Sequence, residues 1–180
     1  MKSRHLFPLL TALGALPAQA AQLDVSVQIP QLDVAEYHRP YVAVWVERED
    51  RSVAANLSVW YQVKRGGPVP AGADGKPQSG TKWLPELRQW WRRGGRDLKM
   101  PADGLSSATK PVGSHDASYG DKSPLAALPP GRYKLVVEAA REDGGRELVD
   151  LAFDWPASKA TTLEAQGQSE LGAVRVAVKP

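Results

Sequence analysis

The sequence contains no cysteine among its 180 residues. Disulfide bonds, thiolate metal sites, cysteine-bound iron–sulfur clusters and thioether-attached haem are therefore all excluded. A domain formed by this chain must be stabilised by packing instead. Six tryptophans provide large apolar surfaces for that purpose.

The chain also lacks an apolar run long enough to span a membrane, which takes about 20 residues. Residues 6–16 are mostly apolar, follow the basic residues Lys2 and Arg4, and precede a small-residue site at Ala20. This order predicts a secretory signal peptide over residues 1–20, cleaved after Ala20. We therefore expect an exported protein that works outside the cytoplasm and does not itself span the membrane.

Little net charge remains once that segment is removed. The full chain has 23 basic and 20 acidic residues, and removal of Lys2 and Arg4 leaves 21 basic residues against the same 20 acidic ones. A nearly neutral mature chain removes the main compositional argument for nucleic-acid binding. We expect no nucleic-acid partner.

Histidine is scarce, and the usual catalytic motifs are missing. Only His38 and His115 follow the predicted cleavage point. They are weak metal-ligand candidates, with Asp116 or Asp121 as added ligands, and two unrelated loop histidines are the simpler interpretation. The chain has no nucleophile elbow, phosphate-binding loop or dinucleotide fingerprint. The sequence therefore assigns no catalytic residue.

What the sequence does contain is alternation of apolar and polar residues, which is typical of half-buried strands. This pattern predicts six strands, at residues 23–29, 41–47, 56–63, 132–139, 147–155 and 171–178. In the third strand the alternation places four apolar residues on one face, opposite Trp60. Those four residues are Leu57, Val59, Tyr61 and Val63.

Between the third and fourth predicted strands the apolar spacing becomes helical. It predicts one short amphipathic helix over residues 82–93, ended by the glycine pair at 94–95. Residues 96–130 are predicted to form a long irregular connection, which is often functional in a compact domain. We expect residues 21–180 to form a single mainly β domain, an immunoglobulin-like or transthyretin-like β-sandwich. Residues 65–130, with the helix and the long loop, are predicted to be an insertion in it.

Basic residues accompany the tryptophans of the predicted helix. Arg92 and Arg93, next to Trp91, form a pattern that is able to bind an anionic or aromatic ligand. The plainer interpretation is that the arginines are solvated and the apolar face packs on a sheet. The residues expected to pack are Trp83, Leu87 and either Trp90 or Trp91.

Residues 103–109 carry the most informative pattern, Asp103-Gly104-Leu105-Ser106-Ser107-Ala108-Thr109. It resembles the flavinylation motif of extracytoplasmic electron-transfer proteins, Asp-Gly-x-Ser/Thr-Gly-Ala-Thr. The resemblance implies that a periplasmic flavin transferase takes FMN from FAD and joins its phosphate to the Thr109 hydroxyl. Asp103, Gly104, Ser106 and Ala108 match the motif. Ser107 stands where glycine is usual, and serine resists the positive φ that glycine permits.

A wider resemblance covers most of the mature chain. Residues 82–96, 103–109, 129–133 and 137–142 look like an uncharacterised family of predicted periplasmic bacterial proteins, domain of unknown function 2271. That resemblance implies a periplasmic location and association with flavin transferases and PepSY-type membrane redox proteins. It implies no particular reaction.

These patterns lead to two hypotheses about function. The first is a periplasmic accessory or electron-carrier protein with FMN on Thr109, Arg92 and Arg93 near the FMN phosphate, and Trp91 against the flavin ring. It would work with a membrane redox partner. The second is a cofactor-free periplasmic module that binds a ligand, a metal or a partner protein. Both favour a carrier or binding protein over a stand-alone enzyme.

Overall fold

The computed structural model describes residues 21–62, 80–142 and 144–180. Within these ranges the chain forms nine strands: β1 (Gln22–Ile29), β2 (Tyr41–Glu47), β3 (Val53–Tyr61), β4 (Ser106–Ala108), β5 (Gly113–Tyr119), β6 (Gly131–Ala140), β7 (Arg146–Trp155), β8 (Thr161–Gln166) and β9 (Ala173–Lys179). It also forms one α-helix, α1 (Arg88–Arg92), and three 3-10 helices, at Gly80–Glu86, Gly95–Asp97 and Pro124–Ala127. The predicted signal peptide, Val63 and most of residues 65–80 lie outside the described residues.

The strands form two sheets packed face to face. One sheet has four strands in the order β5-β1-β9-β8, and the other has five in the order β4-β3-β2-β6-β7. Neighbouring strands are antiparallel except β3 and β4, which run parallel. The prediction of a mainly β, sandwich-type fold is confirmed.

Alternate residues of both sheets build the core between them. Leu23 of β1, Leu135 of β6 and Val176 of β9 are each at most 1% exposed and belong to this cluster. Successive side chains of a strand point to opposite faces, so a strand that reads apolar-polar contributes every second residue to the core. The buried faces predicted for the first, fourth, fifth and last strands are confirmed. We call this cluster the inner core.

Strand β2 is buried on both faces, because a third layer covers the outer side of the five-stranded sheet. All seven residues of β2 are buried. Val42, Val44 and Val46 pack in the inner core. The opposite face packs against a second cluster, the outer core, whose buried members are Tyr41, Ala43, Trp45, Val59, Tyr61, Leu84, Leu87, Trp90, Leu105, Val136 and Ala140. The chain between residues 80 and 105 is therefore a layer over this sheet.

Strand β3 departs from the predicted alternation at one residue. The ladder between β2 and β3 skips Leu57, which leaves an extra residue in β3. Such a β-bulge changes the face on which the following side chains lie. Leu57 packs in the inner core with Trp60, whereas Val59 and Tyr61 pack in the outer core. The expectation that Leu57 shares a face with Val59 and Tyr61 is therefore wrong.

Three strands occupy segments that were expected to be irregular. Residues 96–130 contain β4 and β5, and β8 lies in the polar stretch before the last predicted strand. All three are at sheet edges, and none contains a fully buried residue. Because none of their residues is fully buried, these three edge strands tolerate polar residues on both faces, so their sequences alternate weakly. The prediction of a structureless connection over residues 96–130 is therefore wrong.

The predicted helix over residues 82–93 is two shorter elements, the 3-10 helix Gly80–Glu86 and the five-residue helix α1. Pro85 lies inside the 3-10 helix. Proline has no backbone N–H and disfavours an α conformation in the residue before it, which opposes one continuous α-helix. The predicted end of the helix at the glycine pair is confirmed, since α1 stops at Arg92 and Gly94 follows with φ 133°.

Burial along this segment differs in part from the prediction. Leu87 and Trp90 are completely buried, as expected for the side that packs on the sheet. Trp83 and Trp91 are only partly buried at the margin of the outer core. Trp83 is thus less buried than predicted, and the neighbouring Leu84 is 1% exposed instead.

Candidate functional site

The segment that resembles the flavinylation motif begins with a tight turn at residues 102–105. The N–H groups of Leu105 and Ser106 donate to the carbonyl of Ala102, at 3.3 and 3.0 Å. Gly104 occupies the third turn position with φ 71°, a conformation that favours glycine. Asp103 and Gly104 are exposed at the tip of the turn. The Asp-Gly pair of the motif is therefore explained by the turn.

After the turn the motif continues as β4, at the edge of the five-stranded sheet. Ser106, Ser107 and Ala108 pair in parallel with residues 59–61 of β3. The pairing is extended at both ends, because Val59 N–H donates to the Leu105 carbonyl at 2.8 Å and Thr109 N–H donates to the Tyr61 carbonyl at 3.2 Å. Thr109 is thus fixed through its backbone at the end of the motif, and the residue is partly exposed.

The two serines of the motif have different surroundings. Ser106 Oγ accepts a hydrogen bond from Ala102 N–H at 2.9 Å and thereby closes the turn, and the Tyr61 hydroxyl lies 3.4 Å away. Ser107 Oγ is buried and has no hydrogen-bond partner among the described residues. Ser107 lies in a strand without a positive φ. The backbone at this position therefore does not require the glycine that is usual in the motif.

The chain that follows Thr109 crosses from one sheet to the other beside Trp60. The Lys110 ammonium lies 5.8 Å from the centre of the Trp60 ring. The His115 ring, in β5, meets the same Trp60 ring edge-on at a centroid distance of 5.7 Å. His115 Nε2 lies 2.8 Å from the Pro111 carbonyl oxygen, which is able only to accept, so this nitrogen carries the proton. Lys110, Trp60 and His115 are thus gathered next to Thr109.

The structure does not bring Arg93 to this place. Arg93 forms an ion pair with Glu47 at the last residue of β2. Thr109 bonds to Tyr61, which lies beside the other end of β2, since Trp60 pairs with Val42. The two ends of β2 are about 20 Å apart at about 3.3 Å per residue.

The other residues predicted near the flavin lie on α1. The carbonyl of Arg92 accepts a bond from the Arg96 side chain at 3.1 Å. Trp91 packs at the margin of the outer core, as does Ala102 at the start of the turn. Trp91 is therefore placed against the same cluster as the motif, while Arg93 is held elsewhere.

A buried carboxylate that sequence reasoning did not single out attaches α1 to the sheet. Glu138 of β6 is completely buried and accepts bonds from the N–H groups of Gln89 and Trp90, the shortest at 3.0 and 2.9 Å. Burial raises the pKa of Glu138, and the two N–H groups, Arg146 and Arg93 oppose that rise. Glu138 lies on the face of the strand that the alternation predicts to be polar, and the available signal was that its neighbours on that face, Val136 and Ala140, are apolar.

Further polar contacts hold the same layer in place. The Trp90 indole N–H donates to Asn56 Oδ1 at 2.9 Å, which attaches α1 to β3. Within β2, the Trp45 indole N–H donates at 2.7 Å to Glu47 Oε1, and the same carboxylate pairs with Arg93 of the layer. Asn56 directly precedes the bulge residue of β3. These bonds orient the layer from which the motif turn emerges.

The weak metal candidates are not brought together. His38 Nε2 lies 3.3 Å from Glu36 Oε1, while His115 packs on Trp60. No group of three or more histidine, cysteine, aspartate or glutamate side chains suited to a metal occurs in the part of the chain that the structure describes. Across residues 21–62, 80–142 and 144–180, no helix has the length and apolar character needed to cross a membrane.

One protein family matches most of the chain. No curated protein and no solved structure matches the chain. Residues 22–173, which include every strand from β1 to β8, match a family described as "Predicted periplasmic protein (DUF2271)". The chain therefore belongs to the DUF2271 family of predicted periplasmic proteins.

Proposed function

We propose that this periplasmic protein carries FMN in phosphodiester linkage to Thr109 and passes electrons to or from a membrane redox partner. The observation that carries the proposal is the conformation of the 103–109 segment. Its residues form one turn and one short edge strand that lead directly to Thr109. The residue types shared with the flavinylation motif therefore act together in one small structure at the surface.

The accessibility of the segment supports modification by an enzyme. Strand β4 is the edge of its sheet, and among the described residues only β3 pairs with it. An edge strand offers unpaired backbone groups to a second protein. Asp103 and Gly104 are exposed, so a transferase has access to the turn from solvent.

The residues present fit a phosphate-linked group. Thr109 supplies a hydroxyl, and Lys110 supplies a positive charge at the next position. In the transfer, the Thr109 oxygen forms a bond to the FMN phosphorus of FAD, and the bond from that phosphorus to the pyrophosphate bridging oxygen breaks. AMP leaves, and the hydroxyl proton passes to a base of the transferase. Bound FMN would supply reversible electron transfer, and the covalent bond would retain it outside the cytoplasm.

Intact-mass analysis tests the proposal. The full chain is co-expressed with a periplasmic flavin transferase, and we expect a mass gain of FMN less one water, located in the peptide that contains residues 103–109. Thr109→Ala should abolish the gain, and Thr109→Ser should retain it because the hydroxyl remains. Thr162→Ala, on the exposed face of β8, is the matched control and should be labelled like the wild type.

The contrary result is equally clear. No mass gain in the wild type, or equal labelling of the Thr109→Ala variant, would overturn the flavin proposal. The cofactor-free binding module would instead be supported if the protein is colourless and its Thr109→Ala variant binds a ligand, a metal or a partner protein as the wild type does.

A further inference from the structure

The connection that follows Thr109, residues 109–112, is held against Trp60 and His115 at the edge of the sandwich. We infer that Lys110 is the positioning residue that pairs with the phosphate on Thr109, in place of Arg93, which is engaged with Glu47. This inference rests on the proposed function and deepens it. Lys110 is the cation, Trp60 is the ring that holds it, and His115 is the side chain that fixes the loop.

Lys110 lies beside a fixed aromatic ring. Its ammonium lies over the Trp60 ring at 5.8 Å from the ring centre. Trp60 is buried and anchored by its own indole N–H, which donates to Ser58 Oγ at 2.8 Å. A fixed aromatic face attracts a lysine ammonium only weakly at an exposed site. Lys110 is therefore kept near Thr109 but remains free to exchange the ring for a stronger partner.

Among the described residues, Lys110 has no competing anion. No carboxylate pairs with Lys110 in the described ranges, whereas Lys134 and Lys179 pair with Asp150 and Asp24. A phosphodiester carries one full negative charge, and an ammonium is a compact donor on a flexible four-carbon stem. The pair would satisfy a charge that has no acidic partner in the described structure.

The loop of residues 109–112 is held in place on both sides of Lys110. His115 donates from Nε2 to the Pro111 carbonyl at 2.8 Å, and its ring packs edge-on against Trp60. Thr109 N–H bonds to the Tyr61 carbonyl at 3.2 Å. The backbone on both sides of Lys110 is thus attached to two different sheets. A group on Thr109 and the stem of Lys110 therefore leave the surface from fixed points.

Arg93, which directly follows α1, is placed for another task. Arg93 is engaged with Glu47, whose side chain is 4% exposed, and this pair stabilises the outer layer. Removing Arg93 from Glu47 would leave a buried carboxylate with less compensation, which costs free energy. Lys110 carries no such penalty, because its present partner is an aromatic face.

Phosphorus-31 NMR of the FMN-loaded full chain tests the inference. The samples are the wild type, Lys110→Met, Lys110→Arg and the matched control Lys122→Met, which removes an exposed lysine from the turn after β5. We expect the phosphodiester resonance of Lys110→Met to be displaced from that of the wild type. Lys110→Arg should stay near the wild type, and Lys122→Met should coincide with it. A structural role of the lysine stem alone would not separate Met from Arg.

Salt provides a second readout on the wild type itself. Screening weakens an exposed ion pair, so added sodium chloride should move the wild-type resonance towards that of Lys110→Met. If Lys110→Met is not loaded at all, this titration decides, and a resonance that does not respond to salt overturns the inference. Coincident resonances of Lys110→Met and wild type overturn it as well. A wild type that accepts no FMN overturns the proposed function, and this inference with it.

Discussion

The two faces of the five-stranded sheet bury apolar side chains in different ways. The inner core, between the sheets, is built from alternating strand residues such as Val44, Leu135 and Val176. The outer core lies under α1 and the neighbouring 3-10 helices, and two buried carboxylates, Glu47 and Glu138, lie on this side of the sheet. One face is therefore held by apolar packing, and the other by packing together with specific polar bonds.

The two cores therefore differ in how far the local sequence predicts them. The inner core depends on local alternation, which any seven-residue window of a strand reveals. The outer core depends on bonds between residues far apart in the chain, such as Trp90 with Glu138 and Trp90 with Asn56. Such bonds fix the orientation of a five-residue helix that is too short to be stable alone.

The largest expected effect comes from the inner core. Leu135→Ala removes most of a side chain that is 1% exposed in the middle of β6. The change should lower the free energy of unfolding by about 2–5 kcal/mol, through lost burial and the cavity that remains. Urea denaturation followed by tryptophan fluorescence measures it. The transition should move as a whole, because both sheets share this core.

A matched control lies on the neighbouring strand. Leu148 of β7 is 39% exposed, so Leu148→Ala should change the free energy of unfolding by no more than about 0.5 kcal/mol. Equal losses for the two variants would contradict the assignment of Leu135 to the inner core.

The outer core should respond to the loss of one carboxylate. Glu138→Ala leaves the N–H groups of Gln89 and Trp90 without their acceptor and should cost about 2–3 kcal/mol. Hydrogen exchange should show faster exchange of these two amides, while amides of β1 and β9 keep their relative protection. Glu138→Gln retains an acceptor oxygen and should lose less. Unchanged exchange at both amides in the alanine variant would contradict the contact.

The same carboxylate predicts a pH dependence of known sign. Burial raises the pKa of Glu138 above the ordinary glutamate value of 4.5. The folded state then binds the proton more tightly than the unfolded state. The resulting stability is fully present below about 4.5 and is lost as the pH rises through the raised pKa. Wild type should therefore gain stability relative to Glu138→Gln on acidification from neutral pH towards 4.5. A constant difference between them would contradict this.

The boundary between what the sequence predicts and what it does not follows the burial of each strand. Central strands such as β2 and β6 are predicted nearly to the residue, because burial on one or both faces demands apolar residues. The edge strands β4, β5 and β8 were missed because none of them contains a fully buried residue, whereas the edge strand β7 was predicted because alternate residues of it pack in the inner core. The bulge at Leu57 was also missed, because it is defined only by the register against β2.

The candidate site shows the same boundary. The turn at Asp103 and Gly104 has a sequence signature, and its glycine has the positive φ that such a turn favours. The neighbours of Thr109 in space have none, because Trp60 and His115 come from two different sheets. Lys110 was visible as the residue after Thr109, yet its contact with Trp60 requires the folded chain.

The smallest expected effect concerns Ser107, in the edge strand β4. Its hydroxyl is buried without a partner in the described part of the chain, so Ser107→Ala should leave the free energy of unfolding unchanged or raise it by up to about 1 kcal/mol. Ser107→Gly restores the usual motif glycine but should be less stable than the alanine variant by about 0.5–1 kcal/mol, because glycine loses more backbone freedom in a strand. Urea denaturation and the fraction of FMN-labelled protein are measured on the same samples. Higher labelling of the glycine variant, despite its lower stability, would show that the transferase reads this position. Equal labelling of serine, alanine and glycine would show that it does not, and that the departure from the motif is tolerated.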